Sequence, residues 1–168
     1  MPARKRPYAE GDLFAVPLPD GGYGVGLAAR TSKTAAILGY FFDRRFHQPP
    51  TTRELADLSH DNVILVKHFG YIGLMNGSWP VIGPLPGWRR ENWPSPDFGR
   101  PQHSLGPDPC IYFRVQYDDN DPAVWLGEIR ISGDEFERLP EDGGAGHGWI
   151  EERLSALLMK QRQAGGKS

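Results

Sequence analysis

The sequence predicts an α+β fold: a strongly bent, mainly antiparallel sheet curling toward a small barrel, with two or three short helices and a C-terminal helix. Three observations lead there. Apolar residues come in short runs, the clearest of them alternating with a period of two. Glycine (21) and proline (16) are abundant in the 168 residues and follow no repeat, which implies many turns and short elements. Only the C-terminal segment carries a sustained helical period. At this length, with 39% hydrophobic residues, the chain is expected to build one core. The predicted organisation is a flexible tail over residues 1–9, a single domain over 10–163, and a flexible tail over 164–168.

The elements follow in order. Residues 13–17 and 23–30 read as two strands of a hairpin, joined by a turn containing Pro19, Asp20, Gly21 and Gly22. The second strand is rich in small residues, and its glycines, Gly24 and Gly26, suggest a bulge. Residues 35–42 form a third strand. Pro49 and Pro50 break the chain, and Thr51 with Glu54 matches a capping box that opens a short helix to about Leu58. Residues 63–69 form a fourth strand, and the run Val63, Ile64, Leu65, Val66 suggests burial on both faces. Residues 71–75 fit one helical turn, closed by Asn76 and Gly77, and residues 79–82 fit a short strand. Residues 84–109 hold Pro84, Pro86, Pro94, Pro96, Pro101, Pro107 and Pro109, and read as a long surface loop.

Residues 110–118 give the cleanest strand, in which Ile111, Phe113, Val115 and Tyr117 alternate with Tyr112, Arg114 and Gln116. Residues 125–131 should pair with it across a turn at 118–122. Ser132 and Glu135 form a second capping-box match before a short helix to Leu139. The glycines at 143, 144 and 146 read as a flexible joint. In the last helix, Ile150, Leu154, Leu157 and Leu158 share one face. Glu151 and Glu152 lie toward its start, and Lys160 and Arg162 toward its end, as the helix dipole favours.

The formal net charge of −2 hides an asymmetry. Residues 115–155 carry eleven acids against three bases, a local charge of −8. Residues 1–114 carry thirteen bases against ten acids, or +3. An acidic lobe repels nucleic acid and steers a basic partner; its plainer reading is a solvated face. Arg4, Lys5 and Arg6 lead into no apolar run, and the longest apolar stretch, 35–42, is too short to span a bilayer. A single cysteine, Cys110, allows no internal disulfide. A soluble cytoplasmic protein with no membrane partner is expected.

Motifs for catalysis are sparse. Gly24, Val25, Gly26 and the alanines after Leu27 resemble a dinucleotide-binding turn, but a hairpin precedes them and no helix follows. The histidines at 47, 60, 68, 103 and 147 are dispersed, with no ligand spacing, which leaves only a gathering of His47, His60 and Cys110 by the fold as a route to a metal site. No serine-nucleophile signature occurs, and Cys110 opens a strand with no nearby base. Arg44, Arg45, Phe46 and Trp88, Arg89, Arg90 pair rings with arginines, as single-strand binders do, but on an acidic chain they argue only weakly for nucleic acid. Trp79, Trp88 and Trp93 are either interface anchors or staples for the proline-rich loop.

Four segments in order resemble the immunity protein 26 family of bacterial polymorphic toxin systems. They run from Gly11 to Leu18 (GDLFAVPL), from Gly22 to Gly26 (GYGVG), from Ile37 to Asp43 (ILGYFFD) and from Trp79 to Gly83 (WPVIG). The likeness runs from about Tyr8 to about Phe98; the acidic lobe and last helix lie outside it. The resemblance implies a cytoplasmic antidote that binds a cognate toxin and blocks it stoichiometrically. Some relatives carry the label of a small phosphotriesterase, so the alternative is a metal-dependent organophosphate hydrolase; a nucleic-acid-binding module ranks third. The family supplies no catalytic residues to carry over, and no cofactor or metal site is assigned. A nuclease toxin would be basic. Charge then nominates Asp118, Asp119, Asp121, Glu135 and Glu137 for steering, and interface composition nominates Trp88, Arg89, Arg90 and Trp93 for anchoring.

Overall fold

In the computed structural model, which describes residues 4–166, the opening segment forms the expected hairpin: β1 (Asp12–Pro17) pairs antiparallel with β2 (Tyr23–Thr31). Gly21 and Gly22 make its turn at positive φ, and a side chain at Gly22 would collide with the Phe46 carbonyl. β3 (Ala36–Phe42) and β4 (Val63–Gly70) extend the sheet antiparallel, and β5 (Val81–Pro84) adds to its other side along β1. The proline-rich segment holds one strand, β6 (Phe98–Gln102), where an unbroken loop was expected. Pro101 is tolerated there because β6 is an edge strand. β6 pairs with β7 (Ile111–Tyr117), and β7 with β8 (Trp125–Ile131) as predicted.

The helices are shorter than expected, except the last. Thr51 and Glu54 exchange their reciprocal hydrogen bonds, yet close only a single 3-10 turn at Arg53–Leu55. Ser59 and Asn62 form a further capping box around the turn His60–Asn62. α1 is Ile72–Met75, and α2 (Gly133–Glu137) starts with the Ser132 hydroxyl accepting from the Glu135 amide at 3.1 Å. The glycine joint is partly structured: β9 (Gly144–Ala145) pairs parallel with β4, and α3 (His147–Gly165) follows. Lys67 fixes this segment by donating to the carbonyls of Glu141 and Asp142, both at 3.2 Å, with its ammonium over the Trp149 ring.

Among the described residues there are nine strands in two sheets, ordered β5-β1-β2-β3-β4-β9 and β6-β7-β8, and three α-helices. The fold is α+β as expected, but the strands divide into two open sheets, and no closed barrel forms among the described residues. Tyr8, counted above with the N-terminal tail, is buried in the core, and Arg6 donates to the carbonyls of Ser32, Lys33 and Thr34. Residues 1–3 and 167–168 of the two predicted tails lie outside the described residues. No helix among the described residues is long and apolar enough to cross a membrane.

Both faces of the large sheet are covered, so β1–β3 are buried almost throughout. One face packs Phe14, Phe41, Phe69 and Trp79 against Ile150, Leu154 and Leu158 of α3. The other packs Leu27, Leu38, Tyr40 and Phe42 against Leu55, Leu85, Trp93 and Phe98. The run at the start of β4 is only half-buried, and the deepest residues of that strand are Lys67, His68 and Phe69. Gly24 and Gly26 do not form the expected bulge; they make room for side chains on the first face. A Cβ at Gly26 would lie 2.4 Å from the Phe14 ring, and one at Gly24 would lie 2.5 Å from Leu154. The bulge falls at Ala29 instead: Ala28 pairs with Gly39, but Arg30 pairs with Leu38. Paired residues share a face, so the extra residue turns Arg30 onto the second face, with Leu38 and Tyr40.

The small sheet meets that second face at His68, whose ring lies 4.6 Å from both Phe98 and Tyr117. Tyr117 donates to Asp142 at 2.8 Å. Burial pulls the His68 imidazole down to about 4, against the opposing pull of Asp142. Between 6.5 and about 4, the unfolded chain takes up a proton that the folded protein refuses. Stability should therefore fall as pH drops through that window, by about 3 kcal/mol in all, and His68→Phe should abolish this slope in urea denaturation at stepped pH. Gly26→Ala should cost about 1–3 kcal/mol in the same assay by overpacking against Phe14. Gly70→Ala, where a Cβ meets open space, should stay within about 0.5 kcal/mol of the parent.

Candidate partner-binding site

Arg30 lies at the junction of the two sheets with 1% of its side chain exposed. Its Nε donates to the Asp119 carbonyl at 2.8 Å and to Asp119 Oδ1 at 3.1 Å. Nη1 donates to the Ala29 carbonyl at 2.6 Å. Nη2 donates to Asp119 Oδ2 at 3.2 Å and to the Arg90 carbonyl at 3.3 Å. Arg90 closes the cluster from outside, donating to the Asp119 carbonyl at 2.7 Å and to Glu10 Oε1 at 2.6 Å. The Ser95 amide donates to Asp119 Oδ1 at 2.8 Å. Two nominated residues from distant segments, Arg90 and Asp119, thus meet around an arginine that the sequence did not single out. A lone arginine ending a strand carries no pattern; only the bulge at Ala29 aims it inward.

The other nominated anchors divide. Trp93, expected among them, is only 4% exposed and takes the stapling role. Its ring stacks on His60 at 4.4 Å and meets Tyr40 and Phe42 edge-on. Tyr40 donates to the Pro94 carbonyl and His60 Nε2 to the Asn92 carbonyl, both at 2.5 Å, so the loop is tied down on either side of Trp93. Burial raises the Tyr40 phenol to about 12. Trp79 is fully buried in the first core, where it donates to Glu151 at 2.8 Å. Trp88 is half-buried with its indole against Gly11. Arg89 is exposed, paired with Glu91 at 2.9 Å.

The nominated acids also divide. Asp118 accepts from the amides of Asn120 and Asp121, and Asp121 from the amide of Ala123, so both shape the turn before β8. Partial burial works to raise the Asp119 pKa, but the Ser95 amide, Arg30 and Arg90 outweigh it and hold the carboxyl below its ordinary value. Glu135 and Glu137 are exposed on α2, and among the described residues their carboxylates make no ion pair. Phe136 between them stacks on Tyr112 at 4.6 Å, which presents that acidic face outward. Among the described residues, no three His, Cys, Asp or Glu side chains converge as a cation site. Cys110 donates weakly to the Gln102 carbonyl at 3.4 Å.

Residues 9–108 match the family described as immunity protein 26. The chain belongs to that family. The matched stretch agrees with the resemblance read from the hairpin, β3 and the Trp79 segment, and reaches somewhat beyond it. No curated protein and no solved structure compared with the chain matches it. In this immunity protein 26 family member, the matched part holds Glu10, Arg30, Arg90 and Trp93, whereas Asp119, β8 and α2 lie beyond it. The Arg30 cluster joins the two parts.

Removing one side of that cluster leaves a buried charge short of partners. Asp119→Ala should destabilise the protein by about 3 kcal/mol in urea denaturation, the low end for a broken buried pair, because Asp119 is 48% exposed and water replaces part of the loss. Since the folded-state pKa of Asp119 is depressed, its contribution is present above the ordinary carboxylate range and lost as pH falls through the folded value. The pH dependence below about pH 4 should accordingly be shallower in Asp119→Asn.

Proposed function

We propose that this immunity protein neutralises a cognate bacterial toxin by stoichiometric binding in the cytoplasm, with no turnover. Membership of the immunity protein 26 family across residues 9–108 carries the reading. The distribution of charge supports it. Arg90, Asp119 and Trp93 are committed to holding the proline-rich segment in place, and Asp118 and Asp121 shape a turn. Glu135 and Glu137 are free of such duties, in a stretch whose local charge is −8. A free carboxylate face draws in a basic protein, such as a nuclease, and imitates the phosphates that it would otherwise bind. The exposed Arg89, with the half-buried Trp88 beside it, supplies a rim that anchors the partner.

The test is growth rescue. Cells expressing the toxin encoded beside this chain should survive when the chain is co-expressed, and the two purified proteins should elute as one complex. Glu135→Lys/Glu137→Lys should slow association about tenfold at low salt, with the difference shrinking as salt rises. Death despite co-expression of the chain, or no complex between the pure proteins, would reject the proposal.

A further inference from the structure

Among the described residues the two sheets end in four outer strands, and three of these carry a protection against further pairing. β5 is four residues long and ends at Pro84. β9 is two residues long, pairs only with His68 and Phe69 of β4, and leads into α3 within two residues; the rest of β4 borders a groove lined by Leu139, Pro140, Glu141, Trp149 and Arg153. β6 contains Pro101, and its Gly99 already exchanges backbone hydrogen bonds with Pro140 and Asp142. Short length, proline and a covering segment are the usual ways to keep an edge from recruiting another strand.

Among the described residues β8 has none of these three protections; its one such device is a bulge near its start. It is seven residues long, lacks proline, and pairs only with β7 among the described residues. One extra residue, Leu126, interrupts the pairing near its start, leaving Gly127 to Ile131 in regular register. Trp125, Leu126 and Ile129 are 56%, 59% and 54% exposed. Large apolar side chains on a free edge are a hazard in a protein that works alone. In a protein that works by binding, they are anchors for a strand added to the sheet.

The charges flanking this edge specify the occupant. Asp118 and Asp121 stand in the turn before β8, and Asp134, Glu135 and Glu137 follow on α2. Among the described residues none of these five makes an ion pair, whereas Glu128 on the strand itself is paired with Arg100. A second copy of the chain would bring the same carboxylates against these, which disfavours self-pairing. An extended segment with an apolar centre and basic residues at its ends fits both features.

We propose that β8 is the docking edge for the toxin, which adds such a segment as a fourth strand of the small sheet. This deepens the toxin-neutralising reading and rests on it. Trp125 and Ile129 are the anchors, the backbone of β8 supplies the ladder, and the carboxylates at both ends favour basic flanks. The docking edge lies beyond the part of the chain that the family match covers.

The experiment uses the full-length chain and the purified toxin domain encoded beside it. Trp125→Lys/Ile129→Lys should weaken binding about a hundredfold by calorimetry, with the melting temperature of the free chain unchanged. Met159→Lys, another exposed apolar side chain but on α3, should bind like the parent. In hydrogen exchange on the unmutated complex, which does not depend on the variant folding, the β8 amides should gain protection. A folded double variant that binds like the parent, or protection confined to other strands, overturns the docking edge while the toxin reading stands. Failure of the unmutated chain to bind the toxin overturns both. A free chain that is a dimer, and that the double substitution splits into monomers, gives β8 to a second copy and also overturns the proposal.

Discussion

A guanidinium can be taken out of water only where its nitrogens find acceptors, and each of the three nitrogens of Arg30 finds one, on three segments that are far apart in sequence. The acceptors are the Ala29 carbonyl in β2, the Arg90 carbonyl in the proline-rich segment, and the carbonyl and carboxylate of Asp119 in the turn before β8. The charge thus fixes where the second sheet and the long connection lie relative to the first. It does so because of one inserted residue. With regular pairing and no bulge at Ala29, Arg30 would stand opposite Ile37 on the face that α3 covers, away from Asp119 and the Arg90 carbonyl. A bulge near the end of a strand re-aims a single side chain, and the tertiary structure follows from that change.

The rest of the packing obeys a second constraint. A sheet covered on both faces must fit its side chains at ordinary packing density, and this one contains many large rings. Small residues on the first face meet the requirement. Gly24, Gly26 and Gly39 lie beneath Leu154, Phe14 and Phe69, so the rings of Phe14, Phe41, Phe69 and Trp79 gather in one layer. On the second face the proline-rich connection does the covering. Its prolines keep it from forming central strands, while Trp93, Tyr40 and His60 hold it down.

These two constraints separate the charges that build the molecule from those left for a partner. Arg90, Asp119, Lys67 and Asp142 are tied to backbone or to one another at the junction of the sheets. The acids on α2 are not. They follow directly on β8, a long strand edge that carries neither proline nor a covering strand among the described residues. A protein that acts by occupying another protein's surface needs such a division. Its structural charges must stay engaged in the free state, and its recognition charges must stay available.

Local patterns made much of the fold legible. Period-two alternation identified β7, and the turn residues after Pro17 marked the first hairpin. The capping-box signature at Ser132 placed the start of α2, because a cap is satisfied within a few residues of chain. The same signature at Thr51 formed its hydrogen bonds but could not lengthen a helix that the tertiary structure limits to one turn. The family was legible too, since its four segments lie within the first hairpin, β3 and the approach to β5. The division into two sheets, β6 within the proline-rich segment and the pairing of β9 were not legible, because each depends on contacts between distant residues.

The candidate site divides the same way. Composition alone indicated an acidic lobe and a loop rich in tryptophan and arginine. It could not tell which of those residues are free, since Asp119 and Glu137 look alike until Arg30 is brought to one of them. By itself, the sequence determined the secondary-structure alphabet, the family and the overall balance of charge, all of which are read from residues close together in the chain. The tertiary structure alone decided that Arg30 turns inward, that Trp93 is a staple, and that β8 is left open. Those outcomes depend on register, and one extra residue in a strand reverses the face on which every later side chain stands.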